Sequence, residues 1–94
     1  MPPLVAQPDT IVETTTTLAP VYQVVLHNDD VNTTDHVVNC LMRVFGHSRA
    51  LAEKIMKEAH RRGRAIAQVE AEAEALLHRD QLIGYSLSAT VERI

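Results

Sequence analysis

The chain contains 94 residues, enough for one small domain that buries roughly two-thirds of the surface of its unfolded form. Nine Lys and Arg residues against twelve Asp and Glu residues give a net charge of −3, which argues against a general nucleic-acid-binding protein. No apolar stretch is long enough to cross a membrane, and no basic segment precedes an apolar one at the N-terminus as in a signal peptide. The single cysteine excludes an internal disulfide bond. We therefore expect a protein of the reducing cytoplasm.

The first twenty residues differ in composition from the rest of the chain. They contain all four prolines and a run of four threonines at positions 14–17, and they show no sustained hydrophobic period. We therefore predict a flexible N-terminal tail over residues 1–20 and one folded domain over residues 21–94.

The folded part begins with a predicted strand and an acidic turn. Residues 21–27 alternate between a well-buried and a mixed face, which is typical of a strand. The Asn-Asp-Asp sequence at residues 28–30 follows directly. Taken by itself, this sequence predicts a simple turn, because Asn and Asp side chains hydrogen-bond their own backbone. A helix comes next, with Asn32 or Thr33 as its N-cap and Gly46 at its end.

The second half of the chain contains two more predicted helices and two more strands. Ser48 can cap the second helix, and Gly63 can end it in a left-handed conformation. Residues 64–69 are consistent with a strand. Residues 70–84 predict a third helix, since Glu, Ala and Leu are helix formers, and residues 85–92 alternate as a one-sided strand does.

The order β-α-α-β-α-β predicts an α+β fold, in which a small three-stranded antiparallel sheet is covered on one side by three helices. The loop between the first two helices, Gly46 and His47, is short enough to make these helices antiparallel neighbours. The start of the first helix then lies beside the end of the second. We therefore expect residues 28–30 to approach His60.

A concentration of acidic residues at the end of a strand indicates a site for a cation. Hard metal ions require more oxygen ligands than this turn supplies, and the five histidines form no HxxH or HExxH pair, so we expect no metal and no cofactor. No phosphate loop, serine elbow or compelling pair of acids is present, so we expect no enzyme. A protonated amine fits better, because its three donors match an Asn carbonyl, an Asp carboxylate and a neutral His nitrogen.

The same residues resemble those of a known family, the ClpS adaptors. The resemblance covers most of the chain from Tyr22 to Ile94. It rests on the tyrosine-led strand before Asn28-Asp29-Asp30, on Val37-Val38, Leu41, Phe45-Gly46, Ile55-Met56 to His60 and Gly63-Arg64-Ala65-Ile66, and on the closing run from Leu87 to Glu92 with Thr90-Val91-Glu92. It implies an adaptor without enzymatic activity that binds proteins with bulky apolar N-terminal residues (N-degrons) and delivers them to a Clp-type AAA+ unfoldase for degradation.

The resemblance also implies the residues of a site with two parts. In the first part, Asn28, Asp30 and His60 hold the α-amino group of the substrate, and Asp29 supports the loop. In the second part, an apolar pocket receives the first side chain of the substrate. Its positions are Leu26, His27, Asn32, Thr34, Val37, Met56, Ala59 and Leu87.

Four pocket positions depart from the family pattern. Thr34 stands where a bulky Met is frequent, Ala59 replaces a Val-like residue, and His27 and Asn32 replace commoner aliphatic and Thr residues. Smaller and more polar walls change which side chains fit, and we predict that a bulky apolar first residue still binds. The same departures fit an alternative, a regulator of the Clp unfoldase that keeps the fold without binding degrons.

The third helix also departs from the family, whose acidic-then-basic surface is shortened here to Glu70, Glu72 and Glu74 with Arg79. The chain resembles a divergent short ClpS such as the second paralogue of some bacteria, for which a ClpC-type unfoldase fits as well as a ClpA-type one. The tail would be the segment that the unfoldase engages. We expect a monomer with no nucleic-acid partner and no membrane partner.

Overall fold

The computed structural model describes residues 20–94, so the predicted tail, apart from Pro20, lies outside the described residues. Six elements follow one another in the predicted order β-α-α-β-α-β. They are β1 (Tyr22–His27), α1 (Thr34–Phe45), α2 (Arg49–Arg62), β2 (Arg64–Glu70), α3 (Glu72–Gly84) and β3 (Ser88–Arg93). None of the helices in this part of the chain is long and apolar enough to span a membrane.

The three strands form one antiparallel sheet in the order β2-β1-β3. Leu26 of the central strand β1 pairs with Ala65 of β2 and with Ala89 of β3, and the pairing with β2 shifts between Val24 and Val25. Because β1 is central, the loop that leaves its end emerges between the first residues of β2 and β3.

The three helices cover one face of this sheet, which confirms the predicted architecture. Val24 of β1 belongs to the buried cluster beneath the helices, together with Leu41 of α1, Ile55 of α2 and Leu82 of α3. Successive residues of a strand point to opposite faces. Val25 therefore lies on the outer face, and yet its exposed fraction is 0%.

A polar cluster crosses β1 on this outer face. Arg64 of β2 donates to Glu92 Oε1 of β3 at 2.6 Å, and Gln23 of β1 donates to the same oxygen at 3.2 Å. Arg64 lies opposite His27 in the strand register and Glu92 lies opposite Gln23, so the ion pair runs diagonally over Val25, midway between those rows. This ion pair contributes to the burial of Val25 on a face whose residues are otherwise half-buried or exposed.

The predicted ends of the first two helices are confirmed. Thr33 and Ser48 cap α1 and α2, since each hydroxyl oxygen accepts at 3.2 Å from the backbone N–H three residues on. Gly46 and Gly63 end these helices at φ angles of 74° and 89°, a left-handed region that is strained for residues with a Cβ atom. The N-cap of α1 is Thr33 and not Asn32.

The predicted start of the third helix is wrong by two residues. Glu70 is the last residue of β2, where it pairs with Tyr22, and α3 begins at Glu72. Glu70 Oε2 also lies 2.6 Å from Nδ1 of His78 on α3. A partner on a neighbouring strand and another on the next helix place Glu70 in the sheet, although its own propensity favours a helix.

The predicted start of the last strand is also wrong, because residues 85–87 form the turn that ends α3. The N–H of Leu87 donates to the carbonyl of Leu82 at 3.0 Å, and Ser86 adopts a left-handed φ of 73°. This pattern is a common helix ending. The alternation of apolar and polar residues thus extends three residues beyond the strand itself.

Candidate functional site

A pocket of about 230 Å³ opens where the end of β1, the loop after it, the start of α1 and the last turns of α2 meet. It is lined by eleven of the twelve residues that the sequence analysis names as site residues. These are Leu26, His27, Asn28, Asp29, Asp30, Asn32, Thr34, Val37, Met56, Ala59 and His60. The fold thus brings residues of three elements and one loop to a single cavity.

Leu87 is the twelfth predicted residue, and it is not among the residues that line this pocket. Its side chain is 4% exposed and belongs to the buried core cluster. Core residues such as Leu26 also line the pocket, so the difference is that the Leu87 side chain does not reach its lining in this structure.

The polar end of the pocket depends on a backbone contact between two loops. The N–H of Asn28 donates to the carbonyl oxygen of Gly63 at 3.0 Å. Gly63 follows the last turn of α2, and His60 lies on that turn. The contact joins the start of the acidic loop to the helix end that carries His60, which is the approach that the short helical hairpin predicts.

Asp29 holds the acidic loop together from within. Its Oδ1 accepts from the N–H groups of Val31 and Asn32 at 2.9 and 2.8 Å, and Asn32 Nδ2 donates to both carboxylate oxygens at 3.2 and 3.1 Å. These bonds, above all that from the Asn32 N–H, hold the pKa of Asp29 below its usual value, because they favour the ionised form. The acceptor capacity of Asp29 is therefore largely used inside the loop.

The other three polar residues of this end have side chains that remain accessible to a ligand. Asn28, Asp30 and His60 are exposed, and no other residue between 20 and 94 hydrogen-bonds to their side chains. They supply an amide oxygen, a carboxylate and an imidazole nitrogen to one cavity. Because an ammonium group brings three donors and no acceptor, this end has the chemistry of a site for a protonated amine.

Apolar side chains supply much of the remaining lining. Leu26 of β1 and Ala59 of α2 are buried, and Val37 of α1 and Met56 of α2 are partly buried and pack against the core. The cavity is thus continuous with the core of the domain. A ligand side chain that enters it gains roughly 25 cal/mol for each Å² of apolar surface removed from water.

Three polar residues complete the wall, and two of them contact β3 or the turn before it. His27 Nε2 lies 2.7 Å from Thr90 Oγ1 of β3, and Asn32 Nδ2 donates to the Ser86 carbonyl oxygen at 2.8 Å. Thr34 is exposed at the first turn of α1. The contact with Ser86 is one that sequence reasoning missed, because an exposed serine in an alternating segment carries no signal of such a role.

Two features bear on metal and thiol chemistry, the placement of possible metal ligands and the environment of the cysteine. Among residues 20–94, no group of three or more His, Cys, Asp or Glu side chains is arranged to hold a metal ion. Cys40 is buried in α1, as the sequence predicts, and its burial raises the pKa of the thiol. A raised pKa lowers the fraction of thiolate, which is the nucleophilic form.

Comparison with known sequences identifies the family. The model of the family described as "ATP-dependent Clp protease adaptor protein ClpS" matches residues 17–90. The chloroplastic Clp protease adapter CLPS1 of Arabidopsis thaliana is 45% identical over 76 residues, which cover 80% of this chain and 48% of that protein, so the chain spans about half the length of this relative. The ClpS adapter of Desulforapulum autotrophicum is 36% identical over 80 residues, covering 79% of this chain and 77% of that protein.

Comparison with solved structures agrees. The structure of Agrobacterium tumefaciens ClpS2 bound to L-phenylalaninamide matches with a TM-score of 0.73 and 28% identity, over 80% of this chain and 98% of the other. The fold and the sequence together define the class as that of the protease adaptor proteins. The chain belongs to the ClpS family of Clp protease adaptor proteins, which confirms the resemblance found in its sequence.

Proposed function

We propose that this chain binds proteins through a free N-terminal amine and a bulky apolar first residue, and delivers them to a Clp-type AAA+ unfoldase for degradation. Asn28, Asp30 and His60 accept hydrogen bonds from the ammonium group, and the apolar lining receives the first side chain. The adaptor performs no reaction of its own. It acts by tethering, which raises the effective concentration of the substrate at the unfoldase.

The observation that carries this proposal is that amine acceptors and apolar walls share one pocket. An N-terminal residue presents its ammonium group and its side chain from the same Cα atom, so a receptor must place both kinds of partner within a few ångströms. The ligand of the related ClpS2 structure supports the same division. L-phenylalaninamide carries a free α-amine and a benzyl side chain, and each has a chemical counterpart in this pocket.

Titration with matched peptides tests the proposal. Two peptides that begin with Leu and differ only in a free or acetylated N-terminus are titrated against the full chain. Acetylation removes the positive charge and two donors, so we expect it to weaken binding by tenfold or more, since hydrogen bonds to charged groups contribute about 1.5–3 kcal/mol. Equal affinities for the two peptides would overturn the proposal.

The polar wall formed by His27, Asn32 and Thr34 favours a second candidate function. Polar walls favour an apolar side chain less than apolar walls do, which fits a regulator that binds the unfoldase without binding degrons. In that case residues 28–30 are only a turn. The two candidates share the fold and differ in whether the pocket takes an amine.

The variant Asn28→Ala separates these two functions. It removes the amide side chain but leaves the backbone N–H that donates to Gly63, so the loop keeps its anchor on α2. If the variant no longer binds free N-termini but still binds the unfoldase, the result supports the adaptor function. If the substitution has no effect on either kind of binding, the result supports the regulator. Asn39→Ala is a matched control, because Asn39 is an exposed amide residue of α1 that does not line this pocket.

The partners and setting follow from the same proposal. We infer that the unfoldase is of the ClpC or ClpA type, that the adaptor acts as a cytoplasmic monomer, and that residues 1–20 form the segment that the unfoldase engages. Degradation of a Leu-initiated reporter by each unfoldase, with and without the full chain, identifies the partner. Stimulation of neither would contradict the delivery step while leaving peptide binding to be judged by the titration.

A further inference from the structure

The acidic loop between β1 and α1 is anchored to two separate parts of the fold. At its first residue, the N–H of Asn28 donates to Gly63 at the end of α2. At its far side, Asn32 Nδ2 donates at 2.8 Å to the carbonyl oxygen of Ser86, in the turn between α3 and β3. Asp30, whose side chain has no hydrogen-bond partner among residues 20–94, lies between the two anchors.

The second anchor is well defined at both of its ends. The N–H of Ser86 donates to Ile83 at 2.9 Å and that of Leu87 donates to Leu82, so the turn that presents the Ser86 carbonyl is itself fixed. On the loop side, the same Asn32 amide nitrogen donates to both oxygens of Asp29. One side-chain amide therefore links the carboxylate that organises the loop to the turn before β3.

We propose that Asn32 is a positioning residue for the amine site and does not select the first side chain of the substrate. By holding Asp29 and the loop against Ser86, it fixes the place of Asn28 and Asp30 at the polar end of the pocket. This inference rests on the proposed function, because it assigns a task within the same site. It also explains why the amide donors of this pocket-wall residue are used on Asp29 and Ser86 within the protein.

Asn32→Ala tests this role with a panel of peptides that differ only in a first residue of Leu, Phe, Tyr or Trp. A positioning role acts on the amine, which all four peptides share, so we expect a similar loss for each, on the order of tenfold. The preference of the free over the acetylated N-terminus shrinks, and the order of the four first residues stays the same. An altered order with the preference for the free N-terminus intact would overturn the inference.

Two further variants sharpen the result. Asn32→Asp keeps the shape of the side chain but removes its hydrogen-bond donor and places a second carboxylate beside Asp29. We therefore expect the Asn32→Asp variant to bind the peptides at least as weakly as the Asn32→Ala variant. A wall that acts by shape alone would tolerate Asn32→Asp. Thr34→Ala is the matched pocket control: Thr34 lines the same cavity, and we expect its loss to change the order of first residues and leave the preference for the free N-terminus unchanged.

The outcomes distinguish this inference from the proposed function. A wild-type protein that binds free and acetylated peptides equally overturns both. A wild-type protein that prefers the free N-terminus, with Asn32→Ala and Asn32→Asp showing the same preference and affinity, overturns the positioning role alone. Circular dichroism and thermal unfolding of each variant establish that the loss arises in a folded protein.

Discussion

The ionised carboxylate of Asp29 stabilises the conformation of the acidic loop. Its carboxylate accepts from two backbone N–H groups and from the Asn32 amide, and these bonds lower its pKa in the folded state. A carboxyl group whose pKa is lower in the folded than in the unfolded chain stabilises the fold at pH values above the unfolded pKa of about 4. This contribution is lost as the pH falls through the folded pKa.

Replacement of Asp29 by Asn tests this at the residue scale. Asp29→Asn places an amide group where Asn32 Nδ2 now donates, so we expect the free energy of unfolding near pH 7 to fall by about 1 kcal/mol. Urea unfolding between pH 7 and pH 3 should show this difference shrinking below about pH 4, where the wild-type carboxylate takes up its proton. A difference that stays constant with pH contradicts the argument.

Asp30→Asn is the matched control for this series. It makes the same chemical change one residue along the same loop, and the Asp30 side chain accepts no hydrogen bond from residues 20–94. We expect a smaller loss of stability for Asp30→Asn than for Asp29→Asn. If the two variants lose equal stability, the loop does not depend on the bonds of Asp29.

At the scale of elements, the ends of the helices decide how the loops of the site are placed. Gly63 and Gly84 both stand at the C-terminal end of a helix, and a Cβ atom at either would meet no atom within 4 Å. They differ in backbone conformation. Gly63 has a left-handed φ of 89°, whereas Gly84 is the last residue of α3 and the left-handed position falls on Ser86.

The same substitution should therefore have opposite signs at these two glycines. Gly63→Ala forces a Cβ atom into the left-handed region, and we expect it to lower the free energy of unfolding by about 1 kcal/mol. Gly84→Ala removes the conformational freedom of a glycine in a helix, and we expect a gain of about 0.5 kcal/mol. Chemical denaturation measures both, and two changes of the same sign would show that φ does not decide the outcome.

At the scale of the whole molecule, one face of a small sheet and three helices share a single core. Leu82 on α3 is 0% exposed within that core, whereas Leu77 on the same helix is 54% exposed. We expect Leu82→Ala to cost about 2–5 kcal/mol, a large part of the 5–15 kcal/mol typical of a domain. Leu77→Ala makes the same chemical change in the same helix and should alter stability by no more than about 0.5 kcal/mol. Thermal or urea unfolding of the two variants compares them, and similar losses would contradict the assignment of the core.

The sequence alone determined the local elements and their order. The cap at Ser48 and the left-handed ends at Gly46 and Gly63 depend on contacts within one helical turn, so a few neighbouring residues suffice to predict them, whereas for α1 they left Asn32 and Thr33 both open. The proximity of the acidic turn to His60 also follows from the sequence. A short loop makes the first two helices antiparallel neighbours, so the start of α1 lies beside the end of α2.

Only the tertiary structure decided the details that depend on residues far apart in the chain. Glu70 joins β2 through partners on β1 and α3, and the Leu87 side chain does not reach the lining of the pocket. The bond from Asn32 to Ser86 spans 54 positions of sequence. Periodicity and propensity report only the burial and the backbone preference of neighbouring residues. The bond from Asn32 to Ser86 depends instead on how the turn after α3 meets the loop after β1. That arrangement is set only when the sheet and the helices pack together.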